Sequence, residues 1–118
     1  MARSDFNWVD IGHKFTVNAP TINKKFPVEG TQAPIDDAYL LFQIRGASQA
    51  SHSIKINNKE LDGFDIPPAP GNSQSWLVWM DRIPPNVLKP GTNEITITRK
   101  GNDDFEIKAV VVNWRENG

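Results

Sequence analysis

Tryptophan is the side chain in this sequence with the clearest capacity for ligand chemistry. Four tryptophans occur in 118 residues, and an indole ring can stack on the apolar C–H face of a sugar ring. In the segment 75–81, SWLVWMD, an extended strand would place Trp76, Val78 and Met80 on one face and Trp79 on the other. We therefore expect one tryptophan in the core and Trp76, beside a proline-rich segment, at a loop rim. The alternative is that both are buried.

Polar side chains that could bond sugar hydroxyls lie elsewhere in the chain. Tyr39, Gln43 and Arg45 share one face of a predicted strand, where the alternative is an ordinary solvated sheet surface. Asn58 in a turn and Asp103 in a loop add an amide and a carboxylate. The candidate ligand-binding residues are Tyr39, Gln43, Arg45, Asn58, Trp76, Trp79 and Asp103.

A run of hard oxygen donors, Asn102-Asp103-Asp104, is the one candidate metal site. Calcium accepts such ligands. The same run is typical of an ordinary turn, because Asn and Asp side chains bond their own backbone. The sequence thus offers a structural calcium at most, and no other cofactor.

Groups suited to catalysis are sparse. The chain has two histidines, His13 and His52. Neither lies in a short motif with a carboxylate, and no serine has the context of a nucleophile elbow. The doublets Asp36-Asp37 and Asp103-Asp104 point apart if extended, whereas a glycosidase needs two carboxylates that face each other. We predict a protein that is not an enzyme.

Composition sets further limits. The length suits a single domain, residues 1–118. A formal net charge of -1 gives no reason to expect nucleic acid or an anionic membrane as a partner. The absence of cysteine excludes disulfides and thiolate chemistry. The N-terminus lacks the apolar run of a signal peptide, so the chain as written is expected in the cytoplasm, or secreted if a leader was removed.

Short alternating segments separated by turn residues dominate the chain. The predicted strands are 6–9, 14–17, 38–45, 53–57, 75–81, 94–98 and 105–114, with an ordered loop or edge strand within 18–34. Residues 62–73 are predicted as a second long loop, and a single helical turn is the only alternative near 85–89. Seven or eight short strands favour an antiparallel β-sandwich of jelly-roll type.

The last predicted strand carries apolar residues on both faces. Strict alternation assigns Phe105, Ile107, Ala109 and Val111 to the core and leaves Val110, Val112 and Trp114 outside. Such a patch needs a cover or a partner. We expect the N-terminal segment to cover it through Phe6 and Trp8 and to pair beside this strand. The alternative is a subunit interface.

Two segments, SIKINNKEL (53–61) and LKPGTNEITI (88–97), resemble the galactose-binding-domain-like jelly rolls, as does DDFEIKAVVVNW at 103–114. In that superfamily a turn of the type ING closes a hairpin, and here Asn58 stands where glycine is usual. The resemblance covers the last two-thirds of the chain. It implies a sandwich whose end is closed by Leu88, with the Asn93 side chain bonded to a turn.

These observations favour a non-catalytic, lectin-like binding module for carbohydrate. The rival hypothesis is a structural or assembly domain that associates with itself or another protein through an apolar sheet face. Exposure separates the two: a tryptophan beside polar groups in a concavity favours sugar, whereas an exposed flat apolar patch favours assembly.

Overall fold

The computed structural model describes residues 2–28, 35–48, 52–61 and 74–117. The strands are β1 Ala2–Phe15, β2 Thr21–Val28, β3 Ile35–Arg45, β4 Ser53–Ile56, β5 Lys59–Glu60, β6 Leu77–Ile83, β7 Gly91–Thr98 and β8 Phe105–Asn117. They form two four-stranded antiparallel sheets in the orders β1-β8-β3-β6 and β2-β7-β4-β5. The predicted all-β antiparallel sandwich is confirmed. The described part contains no helix long and apolar enough to cross a bilayer.

Alternation explains most of the core between the sheets. On β3, Leu40, Phe42 and Ile44 are buried as predicted, because successive side chains of a strand point to opposite faces. On β7 the same rule buries Ile95 and Ile97. β2 is the predicted edge strand, which explains how it accommodates Pro27.

The first strand differs from the prediction of two short strands around Gly12. β1 continues from Ala2 to Phe15, and its pairing with β8 shifts between Asp10 and His13. Gly12 has φ of 53°, a left-handed conformation that glycine adopts easily. The glycine therefore marks an irregularity within one strand and does not end it.

The face assignment of the last strand is right for Phe105 and Ile107, which are buried in the core, and wrong beyond Lys108. Val110, Val112 and Trp114 are buried in the core, whereas Val111 is only half-buried on the outer face. The cause is a register shift against β3: Gln43 pairs with Ala109 and the next residue, Ile44, pairs with Ile107. The extra residue on β8, Lys108, reverses the facing of every side chain after it.

The predicted cover is wrong in its side chains and right in its pairing. β1 does pair beside β8, with Trp8 opposite Val111. Phe6 and Trp8 nevertheless remain 64% and 55% exposed. The N-terminal strand buries Val9 and Ile11 in the core and presents its two aromatic side chains to solvent.

The end of the sandwich where β6 finishes is held by an asparagine pair. Asn57 Nδ2 donates to Val87 O at 2.8 Å and to Asn93 Oδ1 at 2.7 Å. Asn93 Nδ2 donates to the Lys89 carbonyl oxygen, as the predicted turn requires. Leu88 is buried there. The segment 85–89, where a helical turn was the alternative, contains no helix. The predicted loop at 62–73 lies outside the described residues.

Candidate functional site

Two residues of the predicted ligand-binding set meet at the opposite end of the sandwich. Arg45, the last residue of β3, places its guanidinium carbon 4.6 Å from the centroid of the half-buried Trp76 ring. A guanidinium over an indole face is a favourable cation–π arrangement. Trp76 directly precedes β6, which pairs with β3, so strand pairing brings the two together.

Glu106 orients the Arg45 side chain. The residues are register partners on β3 and β8, and Arg45 Nε and Nη2 donate to Glu106 Oε1 at 3.1 and 2.9 Å. The pair is partly exposed, so solvent weakens its contribution to stability. Its main effect is geometric, because a guanidinium held on one side by a carboxylate and on another by an indole has few remaining orientations.

A cleft of about 170 Å³ opens beside this pair, and we call it the Arg45 cleft. It is lined by Lys14, Arg45, Gly46, Gln74, Asp104, Phe105 and Glu106. Gly46 has φ of 87°, and a Cβ at this position would lie 3.0 Å from the Asp104 carbonyl oxygen. Only glycine allows β3 to end this close to Asp104, so the shape of the cleft depends on it.

Several polar groups in the Arg45 cleft have no protein partner among the described residues. Arg45 Nη1 and Glu106 Oε2 form no hydrogen bond to another described side chain or backbone group. Lys14 and Gln74 also line the cleft. The cleft therefore presents cationic, anionic and amide groups within one small concavity, which suits a ligand rich in hydroxyl groups.

The other predicted binding residues lie outside this cleft. Trp79 packs against the core from the inner face of β6, as expected for one of the two tryptophans. Tyr39 and Gln43 lie further along the outer face of β3. Asn58 is at the opposite end of the sandwich, with φ of 67° in the hairpin turn between β4 and β5.

Asp103 belongs to a buried network. Its Oδ1 lies 2.6 Å from His52 Nε2, and its Oδ2 accepts from Ser48 N at 2.6 Å. His52 Nδ1 accepts from Lys100 N at 3.0 Å, so the neutral ring donates from Nε2 to the carboxylate. Burial lowers the pKa of His52, against the opposing effect of Asp103. The network ties the loop after β3 to the loop before β8.

The predicted calcium donors are used within the protein. Both carboxylate oxygens of Asp103 accept hydrogen bonds, and Asp104 Oδ1 lies 3.3 Å from Arg99 Nη2. Within the described ranges, no group of three or more His, Cys, Asp or Glu side chains could hold a metal ion. The Asp103 carboxylate therefore bonds two residues distant in sequence, Ser48 and His52, whereas the turn alternative supposed bonds to its own backbone.

Three lining residues with charged or amide side chains were not singled out by the sequence. Glu106 lies 61 positions from Arg45 and becomes its neighbour only through strand pairing. Lys14 pairs with Glu106 from the other side, across β1 and β8. Gln74 lies in the segment before β6 and also lines the cleft. A sequence signal existed for Glu106 alone, as the polar residue following the buried Phe105.

The fold and the cleft define a two-sheet antiparallel β-sandwich with a polar concavity at one end. The chain belongs to the family of unknown function DUF7383, which matches residues 3–116. No curated protein matches the sequence.

Among solved structures, dimeric latent PorU from Porphyromonas gingivalis is similar, with a TM-score of 0.70 and 15% identity over 98% of this chain. This chain spans 13% of that PorU chain, and at such identity the likeness shows the fold alone. The infectious bursal disease virus Gx strain structure matches with a TM-score of 0.45 and 10% identity, over 100% of this chain and 32% of the viral chain. That score is too low to support an inference.

Proposed function

We propose that this protein is a non-catalytic carbohydrate-binding module and that the Arg45 cleft receives the sugar. The observation that carries the proposal is the Trp76–Arg45 contact at 4.6 Å beside a polar cleft. Both residues belong to the set that the sequence selected for sugar chemistry. An aromatic ring beside the cleft and a fixed guanidinium in its wall match what a pyranose ring requires.

Each group has a distinct role in this proposal. Arg45 covers one face of the indole, so the exposed part of the half-buried Trp76 ring beside the cleft is the one offered to the C–H face of a sugar. Arg45 Nη1 donates to a hydroxyl oxygen, and Glu106 Oε2 accepts from a hydroxyl hydrogen. Gln74 offers both a donor and an acceptor at the wall of the cleft.

A glycan array followed by tryptophan fluorescence titration tests the proposal. A bound sugar should change the emission of Trp76, and Trp76→Ala should abolish binding. Arg45→Lys should weaken binding at least tenfold, because an ammonium cannot replace the planar donor set. Trp8→Ala, which removes an exposed indole from another part of the outer face, is the matched control and should bind normally.

Two results would contradict this function. One is an array without a specific hit, run both with and without calcium. The other is sugar binding that survives Trp76→Ala and Arg45→Lys in folded protein, which would place the sugar site elsewhere.

A further inference from the structure

The two outer faces of the sandwich differ sharply in polarity. The outer face of β2-β7-β4-β5 carries polar side chains such as Asn23, Lys25 and Thr96, and Thr96 Oγ1 donates to Asn23 Oδ1 at 2.7 Å. The outer face of β1-β8-β3-β6 is largely apolar, with Phe6, Trp8, Tyr39, Val78 and Met80 all exposed. A sandwich that needed only solvent on both sides would not keep large apolar groups on one of them.

Strand register arranges this apolar face in three rows of four residues. The central row is Trp8, Val111, Leu41 and Met80. On one side lies the row Phe6, Asn113, Tyr39 and Arg82, and on the other side the row Asp10, Ala109, Gln43 and Val78. The apolar face is thus continuous across all four strands and is bounded by the charged corners Asp10 and Arg82.

We propose that the apolar face binds a second copy of this chain, face to face, in a symmetric dimer with the strands of the two copies crossed at nearly right angles. The proposal goes beyond the glycan function and uses a different surface. Three properties of the face support a second copy as its occupant: the charges at its corners, its shape and its area.

Charge complementarity selects the arrangement. The rows span about 14 Å along the strands and the four strands span about 14 Å across, so the face is nearly square. A twofold axis in the plane of the face, along the diagonal from Phe6 to Val78, places Asp10 of each copy opposite Arg82 of the other. The same axis crosses the strands at about 90°, one of the two preferred angles for packed sheets.

Shape complementarity follows from the same axis. Met80 protrudes from the face and is 64% exposed. A hollow of about 210 Å³ lies over the small residue Ala109, walled by Trp8, Leu41, Gln43, Val78 and Val111. The diagonal axis brings Met80 of one copy between Ala109 and Gln43 of the other. A protrusion and a matching hollow on one patch are what an isologous interface requires.

Trp8 is held in place for such contacts. Its Nε1 donates to Asp10 Oδ1 at 2.7 Å, which satisfies the polar edge of the indole and fixes the ring on the face. The second oxygen of Asp10 has no partner among the described residues, so it can accept from Arg82 of the other copy. An anchored aromatic at a contact centre is typical of residues that dominate binding energy.

The area suits a moderate interface. Phe6 and Trp8 are 64% and 55% exposed, Tyr39 is 43% exposed, and Val78 and Met80 are 63% and 64% exposed. Together they expose on the order of 500 Å². With the polar positions of the same rows the face reaches about 600 Å², the lower end of what a specific interface buries on each partner. We therefore expect a reversible dimer in the micromolar range.

Sedimentation equilibrium across concentration tests the dimer. The wild-type protein should approach twice its 13.2 kDa mass as concentration rises. Met80→Glu would bury an unpaired charge and should raise the dissociation constant at least tenfold. Thr21→Glu, at an exposed position on the outer face of the other sheet, is the matched control and should leave the dimer unchanged.

A charge-exchange experiment tests the crossed arrangement itself. Asp10→Lys and Arg82→Glu each place like charges at both corner contacts, so each variant alone should dimerise about tenfold or more weakly. An equal mixture of the two variants pairs opposite charges again in the mixed dimer and should associate more tightly than either variant alone, although the Asp10→Lys copy lacks the bond from Trp8 Nε1. Lys25→Glu, on the other sheet, controls for a change in net charge.

Each remaining outcome overturns the proposal. A protein that stays monomeric up to millimolar concentration would leave the face to a foreign partner. Flotation of a monomer with neutral phosphatidylcholine vesicles, lost in Met80→Glu, would assign the face to lipid. A dimer that persists in Met80→Glu would use another surface. Failure of the mixed variants to associate would refute the crossed geometry.

Trp76→Ala should leave the dimer intact, which keeps this test separate from that of the glycan site.

Discussion

His52 is a described titratable side chain whose surroundings affect its charge. Its ring is buried against Phe105, with ring centroids 4.3 Å apart, and Lys100 N donates to its Nδ1. Protonation would cost this hydrogen bond and would place a charge in a poorly solvated position. Asp103 offsets part of that cost, yet burial is the larger effect and the pKa of His52 stays below its ordinary 6.5.

This shift predicts acid sensitivity. Because the folded state binds the proton more weakly than the unfolded state, the free energy of unfolding should fall as pH drops below about 6.5 and level off once the folded state is protonated. Urea unfolding between pH 8 and 4 measures the slope. His52→Gln should flatten the part of the slope that begins near pH 6.5. Equal slopes in the His52→Gln variant and the wild type would contradict this role.

At the scale of elements, β8 decides which apolar groups reach the core. It pairs with β1 on one side and β3 on the other, and both ladders shift register near Lys108. Beyond that point the even-numbered residues Val110, Val112 and Trp114 face the core. The shift lets one strand place apolar groups in the core on both sides of Lys108 and still supply Ala109 and Val111 to the outer face.

A pair of adjacent substitutions measures this shift. Val112→Ala should lower the free energy of unfolding by about 2 kcal/mol, because Val112 is completely buried and its truncation leaves a cavity. Val111→Ala should cost less than about 1 kcal/mol in the monomer, because Val111 lies on the half-exposed outer face. Denaturant unfolding at low protein concentration compares them. A larger loss of stability in Val111→Ala than in Val112→Ala would support strict alternation along residues 105–114 and contradict the shift.

At the scale of the whole molecule, the two sheets have different outer surfaces around a shared core. One sheet presents polar side chains, and the other presents the apolar face and, beyond it, the Arg45 cleft. The row Lys14, Glu106 and Arg45 follows the apolar rows along the same strands. A single sheet surface thus carries both proposed contacts, and the polar cleft begins where the apolar rows end.

Removal of residues 1–10 tests how far the molecule depends on its first strand. The deletion takes Val9 out of the core and leaves the edge of β8 unpaired from Ala109 to Asn117. We expect a lower melting temperature and association through the bare edge. The double variant Phe6→Ser/Trp8→Ser, which keeps the strand and changes only exposed side chains, should melt near the wild type at low concentration. Unchanged melting temperature and solution mass after the deletion would contradict this account.

The sequence alone determined the features that rest on local periodicity and turn chemistry. Alternation on β3 and β7 identified their buried faces, and the turn residues before β7 predicted the bonds of Asn93. The pairing of the N-terminal strand with β8 and the opposite facing of Trp76 and Trp79 were also foreseen. The buried faces, the turn bonds and the facing of the two tryptophans depend on side-chain spacing within a few residues, which a strand fixes wherever it lies. The pairing with β8 does not, and it was inferred from an apolar patch that the structure places in the core.

Tertiary structure decided whatever depends on register between distant strands. The shift at Lys108 leaves no mark in a period of two, and it moved Val110, Val112 and Trp114 from the predicted outer face to the core. Glu106 reached Arg45 only because β3 and β8 pair. The apolar face exists only because four strands align their outward residues in rows. Register is set by the packing of the whole core, so no local segment of this sequence could specify it.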